Sequence, residues 1–296
     1  MADVRIRPFR PEDGDAAYKQ LAEHQAELFG ESEITRGMFD NVIAISDAAF
    51  VAETPGSFAG SAQVRAGEIG VLVRPSERRK GIGSALLHAA EEAAGSGVVR
   101  LVGVTLEPAA RPFAEANGYE KASDVWLMGI DLDDSLPPPR WPEDVIVRTF
   151  RDEDAAEVKE LLDVAYSQEP HHTPLPFEDW KTFMLGDPSF DPSCWFLAEA
   201  DGELVAAALN WKEGYIKDIV VHPGHRRRGL GEALMRHTFR EFRRRGADRV
   251  TLKTDSNNPT EAWRLYERLG MGYERTYEVF EKRLQRADES VPVRLS

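Results

Sequence analysis

Apolar and polar positions alternate in short runs bounded by turn residues, and these runs are interleaved with longer stretches whose apolar residues recur every three to four positions. The first pattern predicts strands and the second predicts amphipathic helices. Val4–Phe9 alternates like an edge strand, and the turn Pro11-Glu12-Asp13-Gly14-Asp15 leads into a helix through Ala16 to Leu28. A second helix is expected around Ser32 to Ile43. Phe50–Glu53 and Gly60–Val64 read as neighbouring strands joined by Thr54-Pro55-Gly56-Ser57, and Ile69–Val73 as a third. The helix that follows ends near Gly95 or Gly97. Val98–Val104 reads as a strand, Pro108–Tyr119 holds a short helix stopped at Asn117-Gly118, and Val125–Ile130 reads as the strand closing this half.

The order then begins again. Val145–Asp154 restates Ile6–Asp13, and a helix follows from Ala155 to about Tyr166. Ser167–Pro176 is a loop without a clear counterpart in the first half, and Phe177–Met184 resumes helix. Trp195–Ala198 and Glu203–Asn210 bracket an Asp201-Gly202 hairpin turn, and Tyr215–Val221 is the next strand. A helix from Glu232 places Leu234, Met235, Phe239 and Phe242 on one side. It ends in Arg243-Arg244-Arg245-Gly246, where cations complement the negative end of the helix dipole. Val250–Thr254 is a strand, Asp255–Met271 a capped helix with a glycine stop, and Tyr273–Leu284 the last strand or strands.

Between the halves, Asp133–Asp144 contains three consecutive prolines, a composition that favours extended polyproline conformation and predicts a semi-rigid spacer, with Trp141 packing it against one domain. The organisation read from the chain is therefore residues 1–132, a proline-rich linker 133–144, residues 145–284 and a polar tail 285–296. At 296 residues, two domains are also what length alone suggests.

The repeat is sharpest where a strand meets a helix. Val220-Val221-His222-Pro223-Gly224-His225-Arg226-Arg227-Arg228-Gly229-Leu230-Gly231 matches Leu72-Val73-Arg74-Pro75-Ser76-Glu77-Arg78-Arg79-Lys80-Gly81-Ile82-Gly83 without a gap, at an offset of 226 − 78 = 148. Glycines let backbone approach an anion, and the following helix N-terminus adds partial positive charge, so each junction is suited to a phosphate. Neither copy has the Gly-Lys-Ser/Thr ending of a nucleotide P-loop.

Charge and cysteine content narrow the class. A net charge of −14, from 37 basic and 51 acidic residues, argues against a nucleic-acid protein. The single cysteine, Cys194, forms no intrachain disulfide. No apolar run reaches membrane-helix length, which makes cytoplasmic residence and no membrane partner the expectation. No metal-ligand spacing is present.

Each half resembles the GCN5-related N-acetyltransferase (GNAT) superfamily, whose acetyl-CoA loop reads Arg/Gln-x-x-Gly-x-Gly/Ala; here the motif appears as Arg226-x-x-Gly229-x-Gly231 and Arg78-x-x-Gly81-x-Gly83. Asn258-x-x-x-Ala262-x-x-Leu265-Tyr266-x-x-x-Gly270-Met271 is similar to a second family segment, with Met271 in place of Phe. The resemblance implies an α/β (α+β) fold of two tandem GNAT domains, each a mixed, mostly antiparallel twisted sheet flanked by helices, mycothiol-synthase-like in its two-domain layout. It further implies an acetyl-CoA-dependent N-acetyltransferase acting by direct attack on the thioester, with acetyl-CoA as cosubstrate and no metal. The expected partner is a small-molecule amine, and the expected state a monomer or homodimer. Alternatives are a protein or peptide N-acetyltransferase, or a CoA-binding regulatory module without turnover.

Carried over residue by residue, the resemblance implies that Arg226, Arg227, Arg228, Gly229, Leu230, Gly231 and Glu232 hold the CoA pyrophosphate and that Ile219, Val220 and Val221 pair with the pantetheine. Leu72, Val73, Arg78, Arg79, Lys80, Gly81, Ile82, Gly83 and Ser84 are the corresponding positions of the first half. Tyr266 stands at the family's general-acid position, with a core tyrosine as the plain alternative. Asn258 is either a CoA contact or a helix cap. Asp218, on the strand before the loop, is the candidate base, against a surface or structural carboxylate. His171 and His172 lie in the loop where family members shape the acceptor pocket, although paired loop histidines are usually solvated. Aligning the halves places Phe113 opposite Tyr266, Thr105 opposite Asn258 and Gly70 opposite Asp218, so the first half is expected to be a degenerate copy and the second the catalytic one.

Overall fold

The computed structural model describes residues 4–32, 34–94, 100–105, 107, 110–167 and 174–283. They form two compact units, Met1–Ala122 with the chain from Glu278 onward, and Ser123–Tyr277.

In the first unit, β1 (Arg5–Pro8) is followed by α1 (Gly14–Phe29), α2 (Arg36–Ala44), β2 (Ala48–Thr54), β3 (Ser57–Arg65), β4 (Glu68–Val73), α3 (Ile82–Ala93), β5 (Arg100–Thr105) and α4 (Ala110–Ala116). Strands β1 to β4 pair antiparallel in sequence order, and β5 runs parallel to β4. Helix α2 starts four residues later than its apolar pattern suggests, because the Thr35 side chain accepts from the Met38 N–H and fixes the N-terminus there. Helix α3 buries Ile82, Leu86, Leu87 and Ala90 against Ala52, Ala59, Ala62 and Val64 of the sheet.

The strand β6 (Glu120–Asp131) carries the chain into the second unit. There follow β7 (Val145–Thr149), α5 (Ala155–Tyr166), α6 (Phe177–Leu185), β8 (Phe196–Ala200), β9 (Glu203–Trp211), β10 (Tyr215–Val221), α7 (Leu230–Arg244), β11 (Arg249–Asp255), α8 (Ala262–Arg268) and β12 (Gly272–Arg283). Helix α7 buries Leu230, Leu234, Met235, Phe239 and Phe242. Trp195 anchors the opposite core among Phe150, Trp180 and Trp211. No helix among the described residues is long and apolar enough to cross a membrane.

The closing strands are exchanged. Val125–Ile130 does not complete the first unit: Val125–Asp131 pairs antiparallel with β11, from Val125↔Asp255 to Asp131↔Arg249. The first unit is completed instead by Glu278–Arg283 of β12, antiparallel to β5 from Glu278↔Thr105 to Arg283↔Arg100. Met128 is accordingly buried beside Met235 and Phe239, and Phe280 beside Leu86 and Tyr119. Hydrophobic pattern identifies each as a strand without identifying its partner.

The proline-rich segment Asp133–Asp144 is held against a helix. Arg240 donates to the Leu136 carbonyl at 2.8 Å, Arg243 to Asp134 at 3.0 Å, and Trp141 meets His237 edge-on at 6.0 Å, so the segment lies along α7. The arginines ending α7 are likewise engaged. Arg244 and Arg245 both donate to Glu241 and hold its carboxyl down to about 2.

One polar clamp occurs in both units. Arg7 forks onto Asp13 at 2.7 Å with both terminal nitrogens and reaches Glu53 through Nε at 2.9 Å, and Asp13 also accepts the Arg10 N–H. Arg148 forks onto Asp154 at 2.6 and 2.8 Å and reaches Glu199 at 2.7 Å, with the Arg151 N–H on Asp154. The Arg7 hydrogen bonds hold Asp13 below the usual carboxylate range. At Asp154 burial pushes the carboxyl up, but the Arg148 and Arg151 hydrogen bonds outweigh it and the net shift is downward. A carboxyl lowered on folding contributes stability that is full above its unfolded value near ~3.9 and is lost as pH falls through the folded one. Asp154→Asn is therefore expected to cost about 1.5–3 kcal/mol at neutral pH, the range for hydrogen bonds to a charged group. Its stability should also depend less on pH than the parent's below about pH 4; urea unfolding at both pH values measures each.

Candidate active site

The site is built where β10 stops behaving as an ordinary strand. Its register against β9 runs Tyr215↔Trp211 and Ile216↔Asn210, then resumes at Asp218↔Leu209, so Lys217 is the extra residue of a β-bulge. On its other side β10 runs parallel to β11 over Tyr215↔Thr251 and Ile216↔Leu252 alone. From Asp218 to Val221 the strand is therefore paired with β9 only, and the sheet opens at its next edge. Val220 packs in the Trp195 core, while Ile219 and Val221 pack towards Leu230 and Leu234 of α7. The Asp218 carboxylate accepts a hydrogen bond from the Tyr166 hydroxyl at 2.9 Å and lies 3.7 Å from Lys217 Nζ. Tyr166 escapes sequence reading, because 52 residues separate it from Asp218 and no motif marks it.

The opened strand leads directly into the glycine loop. His222 Nδ1 accepts the Gly224 N–H at 3.2 Å, Arg227 turns the chain at φ +61°, and Gly229 (φ +84°) is the N-cap of α7. That positive φ is why glycine stands at 229. Having no side chain, Gly229 cannot cap the helix, and the N–H groups of Leu230, Gly231 and Glu232, in the first turn, have no acceptor within it. Ala233 is the first to bond back, to the Gly229 carbonyl at 2.9 Å.

The neighbouring arginines brace this backbone. Arg226 donates through Nε to the Val221 carbonyl at 3.3 Å and through its terminal nitrogen to the Ala165 carbonyl at 3.0 Å. One terminal nitrogen of Arg228 donates to both Asp144 carboxylate oxygens, at 2.8 and 2.6 Å, which holds the Asp144 carboxyl below the usual range, and Glu232 pairs with Arg236.

Helix α8 begins at Ala262, with Glu261 as its N-cap residue at φ +50°. Asn258 does not cap it: its Oδ1 accepts from the Thr260 N–H at 2.8 Å and hydroxyl at 2.6 Å, forming a local turn ahead of the helix. Tyr266 is buried in the cluster that holds Ile216, Met235 and Leu252, with Ile219 packed against it. It thus reaches the underside of β10 on the α7 side, whereas Tyr166 lies on the α5 side with Tyr215 and Val220.

The first unit reproduces the loop and the opened edge before it, since β4 pairs with β5 at Glu68↔Val102 alone, but not the bulge or the carboxylate. After Leu72 and Val73, Arg78 donates to the Val73 carbonyl at 3.1 Å, Arg79 stands at φ +63° and Gly81 at φ +84°, α3 begins at Ile82, and Gly83 and Ser84 follow in its first turn. Yet β4 pairs with β3 without interruption from Gly60↔Val73 to Arg65↔Glu68, so the bulge is missing. The Gln63 amide lies where a side chain on Gly70 would begin. Arg78 is bound by Glu107 at 2.5 Å, with His24 3.6 Å from the other carboxylate oxygen, and Lys80 pairs with Glu77.

Helix ends correct the pairing of Phe113 with Tyr266. Tyr119 N–H bonds to Ala114 O as Met271 N–H bonds to Tyr266 O, and Gly118 and Gly270 both have positive φ. Phe113 and Leu265 take the same place against Gly83 and Gly231. Ala114 is therefore the counterpart of Tyr266, and the aligned segment was one residue out of phase. His171 and His172 lie outside the described residues.

The Acetyltransferase (GNAT) family model matches residues 155–271, and the Acetyltransferase (GNAT) domain model matches residues 46–121. A mycothiol acetyltransferase of Thermobispora bispora is 37% identical over 213 residues, covering 68% of this chain and 70% of that protein. A GCN5-related N-acetyltransferase from Sphaerobacter thermophilus superposes with a TM-score of 0.72 at 26% identity, over 95% of each chain. A tandem GNAT protein from the clavulanic acid biosynthesis pathway shares the fold, with a TM-score of 0.67 at 19% identity over 97% of this chain and 100% of that one. With one such domain in each half, the chain belongs to the GNAT acetyltransferase family as a tandem, mycothiol-synthase-like member, and is an acyltransferase.

Proposed function

We propose that the second unit transfers the acetyl group of acetyl-CoA to a primary amine of a small molecule by direct attack on the thioester. The observation that carries this reading is the opened edge of β10, which pairs with β11 over two residues and then runs straight into an uncapped helix N-terminus. Such an edge offers main-chain groups of Ile219, Val220 and Val221 to an extended amide-bearing chain, and the amides from Arg227 to Glu232 to its phosphates. The arginine side chains at 226 and 228 act through the backbone they brace. Asp218 takes the proton from the incoming ammonium, directly or through water. As the new C–N bond forms and the C–S bond breaks, Tyr266 supplies a proton to the departing sulfur, and the second proton lost by the nitrogen restores the tyrosine hydroxyl, directly or through water. The first unit keeps an anion cradle but has Gly70 and Ala114 at the two proton-handling positions, which supports a non-catalytic role for it.

The name of the Thermobispora bispora relative makes thiol-linked amino sugars of the mycothiol type the first acceptors to test. Release of free thiol from acetyl-CoA, followed across such acceptors, simple primary amines and peptides, tests the reading. Turnover with a small amine is expected, falling by about 10²–10⁴-fold in Asp218→Asn. CoA binding with no turnover on any acceptor would leave a binding module instead, and turnover on peptides alone would reassign the substrate class.

A further inference from the structure

Among the described residues, the Asp218 carboxylate accepts a hydrogen bond from one side chain outside its own strand, the hydroxyl of Tyr166. Lys217 Nζ on β10 lies 3.7 Å from Oδ2, Leu209 stands opposite on β9, and the Phe183 ring of α6 lies 5.9 Å from that ammonium. Tyr166 is the last residue of α5, where a side chain would ordinarily fray with the helix end. That turn is secured from both sides. Ala165 is buried in the Trp195 core, and its carbonyl accepts from Arg226, the same arginine that grips the Val221 carbonyl. The hydroxyl is thus delivered to Oδ1 by a backbone tied to the strand and to the glycine loop together.

The first unit supplies the contrast. The offset of 148 − 7 = 141 that superposes the two arginine clamps sets Gln25 opposite Tyr166. The Gln25 amide oxygen accepts from the Ile34 N–H and the Ser32 hydroxyl, in a local loop contact. Gly70 stands opposite Asp218, so the unit without the carboxylate also lacks the tyrosine. The first unit is folded with neither residue.

We infer that Tyr166 is a positioning residue for Asp218. By donating to Oδ1 it fixes the carboxylate rotamer and leaves Oδ2 to receive the ammonium proton. The inference rests on the reading of Asp218 as the base, and the experiment separates the two. Tyr166→Phe, Asp218→Asn and the double variant are compared by pH profiles of kcat and kcat/KM, with thermal unfolding as the control for folding. Tyr166→Phe is expected to lower kcat roughly tenfold and to shift the acidic limb of the profile, because the reacting carboxylate loses its hydrogen-bond partner. The KM for acetyl-CoA should stay as in the parent, and the double variant should be no slower than Asp218→Asn. A parental limb and kcat in Tyr166→Phe, while Asp218→Asn abolishes the limb, overturns the role of Tyr166 alone. An additive loss in the double variant does so too. A limb that survives in Asp218→Asn overturns the reading of Asp218 itself, and the inference with it.

Discussion

Tyr266→Phe is expected to slow acetyl transfer by roughly 10²-fold or more, with CoA affinity and melting temperature close to the parent's. The substitution removes one hydroxyl from a side chain that is 6% exposed and otherwise packed among Ile216, Met235 and Leu252, so the ring keeps its place. What it removes is a proton donor beneath the strand at which the sheet opens, and a positioned general acid contributes typically 10²–10⁴-fold. The control lies in the other unit. Phe113→Ala deletes the ring that packs on Gly83, the counterpart of Leu265 on Gly231, and should lower stability with little change in kcat per folded molecule. Stopped-flow or steady-state thiol release on both variants decides the matter. Equal kinetic losses at 266 and 113 would remove Tyr266 from the reaction.

The second large effect concerns an end of the chain remote in sequence from the part it stabilises. Truncation after Tyr277 is expected to unfold the first unit and spare the second. Glu278–Arg283 supplies the antiparallel partner of β5, and Val279 and Phe280 on it are each 2% exposed. Lys282 binds Glu91 of α3 at 2.8 Å, and Glu278 pairs with Arg111 of α4. Phe280→Ala alone should cost about 3–5 kcal/mol, a large share of the ~5–15 kcal/mol that holds a domain together. Hydrogen exchange resolves the outcome by region: protection should vanish in β2 to β4 and α3 and persist in β9 and α7. Protection unchanged in α3 would show that the first unit stands without the borrowed strand.

Most of the element order was legible because glycine, proline and a two-residue alternation punctuate it. The glycine loop was legible because its conformation is local: positive φ at Gly229 and the missing cap follow from the residues themselves. What escaped was pairing at a distance. Hydrophobic pattern marks Val125–Ile130 and Glu278–Arg283 as strands, but nothing in either names β11 or β5 as its neighbour. The bulge at Lys217 was hidden because a single extra residue inside an apolar strand barely disturbs its composition. Tyr166 was hidden because it meets Asp218 only once α5 has packed. The slip that set Phe113 against Tyr266 arose in the loops before α4 and α8, whose lengths differ and which sequence spacing alone cannot phase. Helix stops at Gly118 and Gly270 fix the phase from the other end.

The exchanged strands also set an order of events during synthesis. β5 ends at Thr105, but the residue it pairs with first is Glu278, 278 − 105 = 173 positions later. At about 5–20 residues per second, the earlier-made unit waits roughly 10–35 s with a strand edge open before its last strand leaves the ribosome. The unit begun later, from Ser123 to Tyr277, already holds every strand it needs by then. In this chain the half translated first is the half completed last, and its open edge is the exposed template for wrong pairing in the interval.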